Sequence, residues 1–354
     1  MALPPQVFRF HDIAAVSVRS DNSFAGAFFE AEYGYHRVKK QAEDLPHVSL
    51  DFHMNLAAPK GFTQHTHKLL ARWAYQVTIE PGDIDMRVYG NNAAVSMVHH
   101  MLVHPSLRWL AANNGTLLLH AGSVAKNNKS LIFTGKGGAG KTTTTSLILA
   151  AAQGWQIHAD DYVFIQDRTD KSSFPDARYD VQSKAYVTRS HLYRDLQNWV
   201  PDIRTRLTNW ERIRLEFFGA LRKYTNEGIK WPVRLSPQRL WPGIDIANTA
   251  SPTAIILLER ADVSRPQLIP IRKLDETADD LLEMNFGEAR HFIKLLNKAG
   301  ALNTEWLTAW KDTEQDLLSN LLVKIPAYRL VLPFSQSSAG TQAHLLPVLD
   351  ELVK

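Results

Sequence analysis

Residues 134–143 read Thr-Gly-Lys-Gly-Gly-Ala-Gly-Lys-Thr-Thr, and this stretch decides the fold. Within it, residues 135–142 match Gly-x-x-x-x-Gly-Lys-Ser/Thr, the pattern of a phosphate-binding loop. Its glycines allow the backbone to bend tightly, so that successive N–H groups point at an anion. Lys141 supplies a positive charge for the β- and γ-phosphates of ATP, and the Thr142 hydroxyl is a ligand for the accompanying Mg²⁺.

The segments on either side of the loop agree with this motif. Residues 130–134 (SLIFT) form a short apolar run typical of a buried strand, and residues 142–153 have the pattern of a helix. A strand, a glycine loop and a helix N-terminus together form an anion site, whereas a glycine-rich turn that matched by chance would need neither neighbour. The candidate contacts to ATP and Mg²⁺ are Gly135, Lys136, Gly137, Gly138, Ala139, Gly140, Lys141, Thr142 and Thr143.

Composition excludes several classes of protein. The chain has 354 residues, of which 45% are apolar, enough for one large or two ordinary domains with a substantial core. It has no cysteine, which excludes disulfides, cysteine-based zinc sites and a cysteine nucleophile. No signal peptide is visible, and no apolar run approaches the roughly 18 residues of a membrane span. The sequence therefore predicts a cytoplasmic protein without a membrane partner.

Positive charge is concentrated in one segment. Residues 184–239 contain twelve Lys or Arg and five Asp or Glu, a balance of +7, although the whole chain carries only +4. Trp199, Trp210 and Trp231 lie in the same segment. This composition suits binding of phosphates, an acidic peptide or nucleic acid, or a solvated helical face whose arginine stems cover apolar surface. No nucleic-acid recognition motif accompanies the charge, so nucleic acid is not an expected partner.

The order of segments predicts an α/β protein in two parts. Residues 1–105 form a β-rich N-terminal region in which short strands and turns alternate. Residues 106–354 alternate strands with helices around the phosphate loop, which is typical of an α/β domain. Within this second part, residues from about 190 to 235 are expected to form a basic helical insertion.

Two adjacent carboxylates, Asp160 and Asp161, follow the loop by one helix and one strand. A phosphate loop needs an acid to hold Mg²⁺, directly or through water, and such an acid usually ends a neighbouring strand. Two acids permit two roles, because one can bind the metal while the other accepts a proton from an attacking hydroxyl. The alternative is a solvated Asp-Asp turn.

Histidines form two further candidates. His120 ends an apolar run upstream of the loop, where it either tunes the base through a hydrogen bond or is a satisfied structural histidine. His99, His100 and His104 form a cluster in which the second and third share a helical face. No carboxylate stands between them as in the HExxH pattern, so a polar helix face is expected rather than a zinc site.

The segment LLLHAGSVAKNNKSLIFTGKGGAGKTTTTSLILAAAQGWQIHADDYVFI, residues 117–165, resembles the core of HPr kinase/phosphorylase and its kinase relatives. That core has a histidine-bearing strand, a strand with the phosphate loop, a helix, and a strand that ends in Asp-Asp. Residues 253–260 (TAIILLER) and 325–333 (IPAYRLVLP) are similar to later strands of those relatives.

The resemblance implies a P-loop fold of the PEP carboxykinase type and transfer of the γ-phosphate of ATP to a hydroxyl, that of serine in the family. The acceptor would belong to a peptide, a protein or a small molecule. The candidate catalytic residues are therefore Asp160, His120 and Lys141, and the same resemblance makes Asp160 the base. His120 is an active-site neighbour, and Asp161 joins Thr142 as a metal ligand.

The chain also departs from the family. Residues 166–240 contain no Glu-Val-Arg-Gly-like stretch, the phosphorylase signature, so neither phosphorylase activity nor HPr itself as substrate is predicted. The basic segment stands there instead and is a candidate clamp for substrate or phosphate. The candidate γ-phosphate stabilisers within it are Arg189, Arg206, Arg212 and Arg239.

Lys136 supports a rival interpretation. KGGAGKTTT resembles the deviant Walker loop of partitioning and septum-positioning ATPases, in which this lysine reaches the nucleotide of a partner subunit. Those proteins carry the loop near the N-terminus and follow it with an Asp-x-Pro-Pro-like switch, which this chain lacks. A nucleotide-binding regulator without catalysis is a third reading, against which the Asp pair argues. A homo-oligomer is compatible with all three.

Overall fold

The computed structural model describes residues 4–39, 44–68, 70–151, 153–167, 181–193, 196–197, 200, 202–224, 232–334 and 338–354. Trp199 and Trp231 of the basic segment lie outside these ranges. The chain divides into two compact units, Met1–Leu118 with Asp275–Asn320, and Leu119–Leu274 with Leu321–Lys354. Helices and large mixed sheets make up both units, so the predicted α/β class is confirmed.

The elements are as follows. The strands are β1 (Gln6–Phe10), β2 (Ala14–Ser20), β3 (Arg37–Val38), β4 (His47–His53), β5 (Thr63–His67), β6 (Ala71–Glu80), β7 (Asp83–Gly90), β8 (Thr116–Lys126), β9 (Lys129–Thr134), β10 (Gln156–Ala159), β11 (Tyr162–Asp167), β12 (Val181–Ala185), β13 (Ser190–Leu192), β14 (Val233–Leu235), β15 (Thr249–Ala261), β16 (Gln267–Pro270) and β17 (Ala327–Pro333). The helices are α1 (Ser23–Tyr33), α2 (Asn92–Val98), α3 (His104–Asn113), α4 (Lys141–Ala150), α5 (Ile203–Arg206), α6 (Asn209–Tyr224), α7 (Pro237–Leu240), α8 (Leu274–Lys298), α9 (Thr304–Lys324) and α10 (Ser338–Leu352).

The first unit is built on a seven-stranded sheet in the order β3-β1-β2-β4-β7-β6-β5. Strand β4 runs parallel to both β2 and β7, and β6 pairs with β7 as an antiparallel hairpin. Alternation of buried and exposed residues along β7 keeps one face of the sheet in the core. Gly82 turns this hairpin with a φ of +84°.

Residues 275–320 pack with this first unit, whereas the sequence grouped them with the phosphate-loop domain. A buried ion pair lies within this unit. Arg108 on α3 is 2% exposed, and its Nε donates to Glu314 Oε1 on α9 at 2.7 Å. The Trp310 indole donates to the same carboxylate at 2.8 Å. A buried charge needs such partners, and here the partners lie on a helix distant in sequence.

The histidine cluster differs from its sequence prediction. A π-helical turn, His99–Val103, joins α2 to α3 and adds one residue to the helical repeat. His99 and His104 are therefore buried, with ring centroids 6.5 Å apart, while His100 is exposed. The rings of Phe29 and Tyr33 on α1 pack against His99. The prediction of a polar face is wrong for His99 and His104.

Buried His36 makes the stability of the first unit depend on pH. Its ring packs on Phe10, and burial, followed by the charge of His11, lowers the pKa of His36 to about 3. In the unfolded chain the pKa is about 6.5, so between these values the unfolded state binds one more proton than the folded state. The free energy of unfolding is expected to fall by up to about 1.4 kcal/mol per pH unit as the pH drops through this window.

Urea unfolding at several pH values measures this slope, and the substitution His36→Gln should flatten it. The exposed His344 on α10 is the matched control, because His344→Gln removes an imidazole that is already solvated. Identical slopes for the wild type and His36→Gln would contradict the prediction.

The second unit is built on an eight-stranded sheet in the order β10-β8-β11-β12-β15-β17-β16, with β9 beside both β8 and β15. Strand β15 is parallel to β9 and to β17. Because β8 is antiparallel to both β9 and β10, these two strands point the same way. The residues that follow them, the phosphate loop after β9 and Asp160 after β10, therefore emerge at the same edge of the sheet.

The basic segment is only partly helical. Strands β13 and β14 form a two-stranded ribbon, with His191 opposite Arg234, and helices α5, α6 and α7 complete the segment. The ribbon forms because Leu192 and Val233 are buried in the apolar core of the second unit, to which α6 adds Leu215. The prediction of a helical insertion is therefore wrong for Ser190–Leu192 and Val233–Leu235, which form this ribbon.

Across the ranges given above, every helix is too short or too polar to cross a lipid bilayer.

Candidate active site

The phosphate loop joins β9 to α4 and depends on glycine at two points. Gly135 has a φ of +141°, and a Cβ atom there would lie 2.9 Å from the Leu258 carbonyl oxygen on β15. Gly140 has a φ of +108° immediately before α4, where an L-residue would be strained. Lys141 then opens the helix, buried, and its ammonium donates to the Gly135 carbonyl at 2.9 Å.

The other predicted loop contacts surround this lysine. Lys136, Gly137 and Gly138 are exposed, while Ala139, Gly140, Thr142 and Thr143 are half-buried. The helix N-terminus and the Asp pair approach each other across β8. A Cβ atom on Gly122 of β8 would lie 3.3 Å from the Asp160 carbonyl oxygen and 3.7 Å from that of Lys141.

Asp160 is a buried carboxylate beside the loop. Its side chain is 7% exposed, and neither of its carboxylate oxygens makes a hydrogen bond of good geometry with any described residue. Burial, reinforced by the charge of Asp161, raises the pKa of Asp160 to about 7. The nearby charge of His191 and the hydroxyls of Ser190 and Thr142 partly oppose this shift. Asp160 therefore lies near the threonine that the motif assigns to Mg²⁺.

Asp161 differs from Asp160 both in its contacts and in the direction of its pKa shift. His191 Nδ1 lies 2.9 Å from its Oδ2, and the Asp161 side chain is 24% exposed. Burial alone would raise the pKa of Asp161, but the charge and hydrogen bond of His191, together with the charges of His120 and Arg234, hold it well below its usual range. Adjacent carboxylates with pKa values driven apart are typical of catalytic pairs.

His120 lies near this pair, close enough for its charge to lower the pKa of Asp161. Its ring stacks on Tyr162 with centroids 5.0 Å apart, and its carbonyl accepts from Thr134 Oγ1 at 3.1 Å. The backbone N–H of Ala121, the next residue, donates to the Asp161 carbonyl at 3.0 Å. Strand β8 therefore holds both the histidine and the Asp turn in place.

Of the four candidate arginines in the basic segment, two form hydrogen bonds within the segment itself. Arg239 donates two hydrogen bonds to Glu211, at 2.9 and 2.8 Å. The hydrogen bonds from Arg239 lower the pKa of Glu211 to about 2 despite its partial burial. Arg206 donates to the Leu240 carbonyl at 2.7 Å. These two arginines hold α5, α6 and α7 together, Arg212 is exposed on α6, and Arg189 precedes β13.

Arg260 is a site residue that the sequence analysis missed. It lies near the end of β15, and a Cβ atom on Gly140 would lie 3.2 Å from its Nη2. Its Nη1 donates to the Pro333 carbonyl at 3.1 Å, which fixes the guanidinium against the loop. The available signal was its place at the carboxyl end of a strand parallel to the loop strand. His191 was missed because its three-residue strand lies in a segment predicted to be helical.

Neither candidate metal-binding groups nor known relatives assign further residues or roles to the site. Across the described ranges, no group of three or more His, Asp or Glu is arranged to hold a metal ion. No protein-family model matches this chain, and no curated protein matches its sequence.

Proposed function

We propose that this protein is an HPr kinase-like phosphotransferase that transfers the γ-phosphate of ATP to a hydroxyl group. The observation that carries the proposal is the meeting of a phosphate loop and two dissimilar carboxylates at one sheet edge. The resemblance of residues 117–165 supports the same reaction and a P-loop fold of the PEP carboxykinase type. The acceptor is a serine or other hydroxyl of a peptide, a protein or a small molecule.

The chain offers a consistent set of nucleotide contacts. The loop N–H groups and Lys141 would hold the β- and γ-phosphates, and Arg260 would supply a second positive charge from β15. Asp160 and Thr142 fit Mg²⁺, because the buried Asp160 oxygens have no hydrogen-bond partner of good geometry among the described residues and a hydroxyl lies beside them. When bound, Mg²⁺ would neutralise charge on the phosphate oxygens.

Exposure and orientation favour Asp161 as the proton acceptor, although its low pKa makes it a weaker base than Asp160. It is more exposed than Asp160, and His191 orients it through their hydrogen bond. In the transfer, the acceptor oxygen forms a bond to the γ-phosphorus, the bond to the β–γ bridging oxygen breaks, and Asp161 takes the hydroxyl proton. Exposure and orientation thus favour exchanging the two roles that the family resemblance implies for Asp160 and Asp161, whereas the raised pKa of Asp160 favours the implied roles.

The experiment that tests the proposal supplies the purified chain with ATP·Mg²⁺ labelled at the γ-phosphate and with arrays of serine peptides and small hydroxyl compounds. Label on an acceptor oxygen, sensitive to alkaline phosphatase, supports the kinase. Labelled inorganic phosphate as the sole product, stimulated by a partner or by DNA, would favour the switch ATPase. Tight ATP binding with neither product would favour the regulator.

Arg260→Met tests the additional cation. We expect phosphoryl transfer to fall by about tenfold, about 1.4 kcal/mol, because the guanidinium adjoins Gly140 and stabilises charge on the phosphates. Arg265→Met is the matched control, since Arg265 is an exposed arginine of the same unit. Equal rates for the Arg260 and Arg265 variants in the labelled-ATP assay would remove Arg260 from the site.

Lys136→Ala separates the kinase from the switch ATPase. Lys136 is exposed, and an exposed lysine contributes only about 0–1 kcal/mol because water and salt screen it. We expect phosphoryl transfer to fall by less than about tenfold. Loss as severe as that of Lys141→Ala, together with ATP-dependent dimers in sedimentation, would favour the deviant-loop ATPase instead.

A further inference from the structure

Helix α6 carries an exposed row of large apolar side chains. Trp210, Ile213, Phe217 and Tyr224 are 67%, 59%, 60% and 88% exposed. Their spacings of three, four and seven residues align them along one side of an α-helix. Contiguous apolar surface of this kind usually marks an interaction site.

The opposite side of α6 is already buried. Leu215 is 3% exposed and belongs to the apolar core of the second unit, together with Leu192 of β13 and Val233 of β14. The helix is therefore anchored to the ribbon whose His191 pairs with Asp161. With its inner side fixed in this way, α6 keeps the apolar row on the outside.

The row has the spacing of a coiled-coil seam. Assigned as heptad positions a, d, a, d and a, it consists of Trp210, Ile213, Phe217, Ala220 and Tyr224. Such a seam packs against a second helix with the same repeat, since each side chain fits between four of the facing helix. The occupant that this surface fits is a helix.

The charged side chains of α6 indicate which kind of helix fits this surface. Both acidic residues of α6 are held by arginines from outside it, Glu211 by Arg239 and Glu216 by Arg204. Arg212 and Arg214 of α6 make no ion pair with any residue that the structure describes.

The surface around the row is consequently positive, within a segment whose overall balance is +7. A second copy of the chain would bring like charges together, whereas an acidic helix is complementary.

We propose that α6 is a docking helix for an acidic, heptad-patterned helix of another protein. The docked helix would lie on the outer side of the layer that holds His191 at Asp161, in the same unit as the phosphate loop. Docking needs neither nucleotide nor phosphoryl transfer, so its test is separate from that of the proposed function.

The probe is a synthetic fluorescent peptide of about 20 residues with leucine at a and d and glutamate at e and g. A peptide of the same composition in scrambled order and one with lysine at e and g are the controls. In anisotropy titrations with the full chain, we expect the acidic heptad peptide to bind at least about tenfold more tightly than either control. Added salt should weaken its binding.

Variants of the seam identify the surface. Ile213→Ser and Phe217→Ser should each weaken binding by about tenfold, with the melting temperature unchanged. Val323→Ser on α9 is the matched control, because it removes a 76% exposed apolar side chain that lies outside α6. Equal binding of all three peptides, or an unchanged affinity in the seam variants, would overturn the proposal.

Two further results would assign the surface to another occupant. If the chain alone sediments as a dimer and Phe217→Ser makes it a monomer, a second copy covers the seam and the proposal fails. If vesicles of phosphatidylcholine and phosphatidylglycerol bind the wild type but not Phe217→Ser, while the acidic peptide does not bind, the surface contacts lipid and the proposal fails as well.

Discussion

Replacing Lys141 with alanine is expected to lower phosphoryl transfer by about 10²–10³-fold, which corresponds to about 2.7–4 kcal/mol of transition-state stabilisation. The reason is the placement of its ammonium. Lys141 is the first residue of α4, and its ammonium lies 2.9 Å from the Gly135 carbonyl, inside the loop that would surround the phosphates. The side chain is 8% exposed, so water screens its charge less than that of a surface lysine.

Calorimetry with ATP·Mg²⁺ and the labelled-ATP assay measure this loss separately as affinity and as rate. Lys136→Ala is the matched control, because it removes the same charge from an exposed position five residues earlier in the same loop. Lys141→Met keeps most of the side-chain stem and guards against collapse of the loop. If Lys141→Ala bound and turned over ATP like the wild type, the nucleotide site would lie elsewhere.

The phosphate loop could be predicted from sequence because its determinants are local. The predicted strand at residues 130–134, the glycines and the following helix are consecutive, and the structure has β9 and α4 at these places. The Asp pair was also predictable, since one helix and one strand return the chain to the same sheet edge. Such short-range patterns need no knowledge of how distant strands pair.

The rest of the site depends on long-range pairing that composition does not reveal. His191 reaches Asp161 only because β13 pairs with β14, more than forty residues later. Arg260 reaches Gly140 only because β15 lies parallel to β9. Residues 275–320 join the first unit through equally distant contacts, such as that of Arg108 with Glu314, 206 residues apart.

Asp160→Asn and Asp161→Asn are expected to impair phosphoryl transfer in different ways, because the two carboxylates have different surroundings. Asp161→Asn removes the proposed proton acceptor and should lower phosphoryl transfer by about 10²–10⁴-fold, with the affinity for ATP·Mg²⁺ changed by less than about threefold. Asp160→Asn removes a proposed metal ligand and should raise the Mg²⁺ concentration needed for half-maximal transfer by at least about tenfold.

Stability gives a second measurement, independent of activity. The folded-state pKa of Asp160 is raised to about 7 from its ordinary value of 3.8, so between these values the folded state binds more protons than the unfolded state. Stability without Mg²⁺ should therefore fall as the pH rises through this window, by up to about 1.4 kcal/mol per unit. The neutral amide in the Asp160→Asn variant carries no such penalty, so this variant should melt at a higher temperature than the wild type at about pH 8.

The exposed Asp262 provides the control, because Asp262→Asn removes a carboxylate of the same unit that is already solvated. It should change neither transfer nor the pH dependence of melting. Full transfer by both Asp160→Asn and Asp161→Asn would disprove the kinase mechanism. A raised Mg²⁺ requirement in Asp161→Asn instead of Asp160→Asn would restore the roles that the family resemblance implies, since the residue nearer Thr142 would then not be the one that holds the metal.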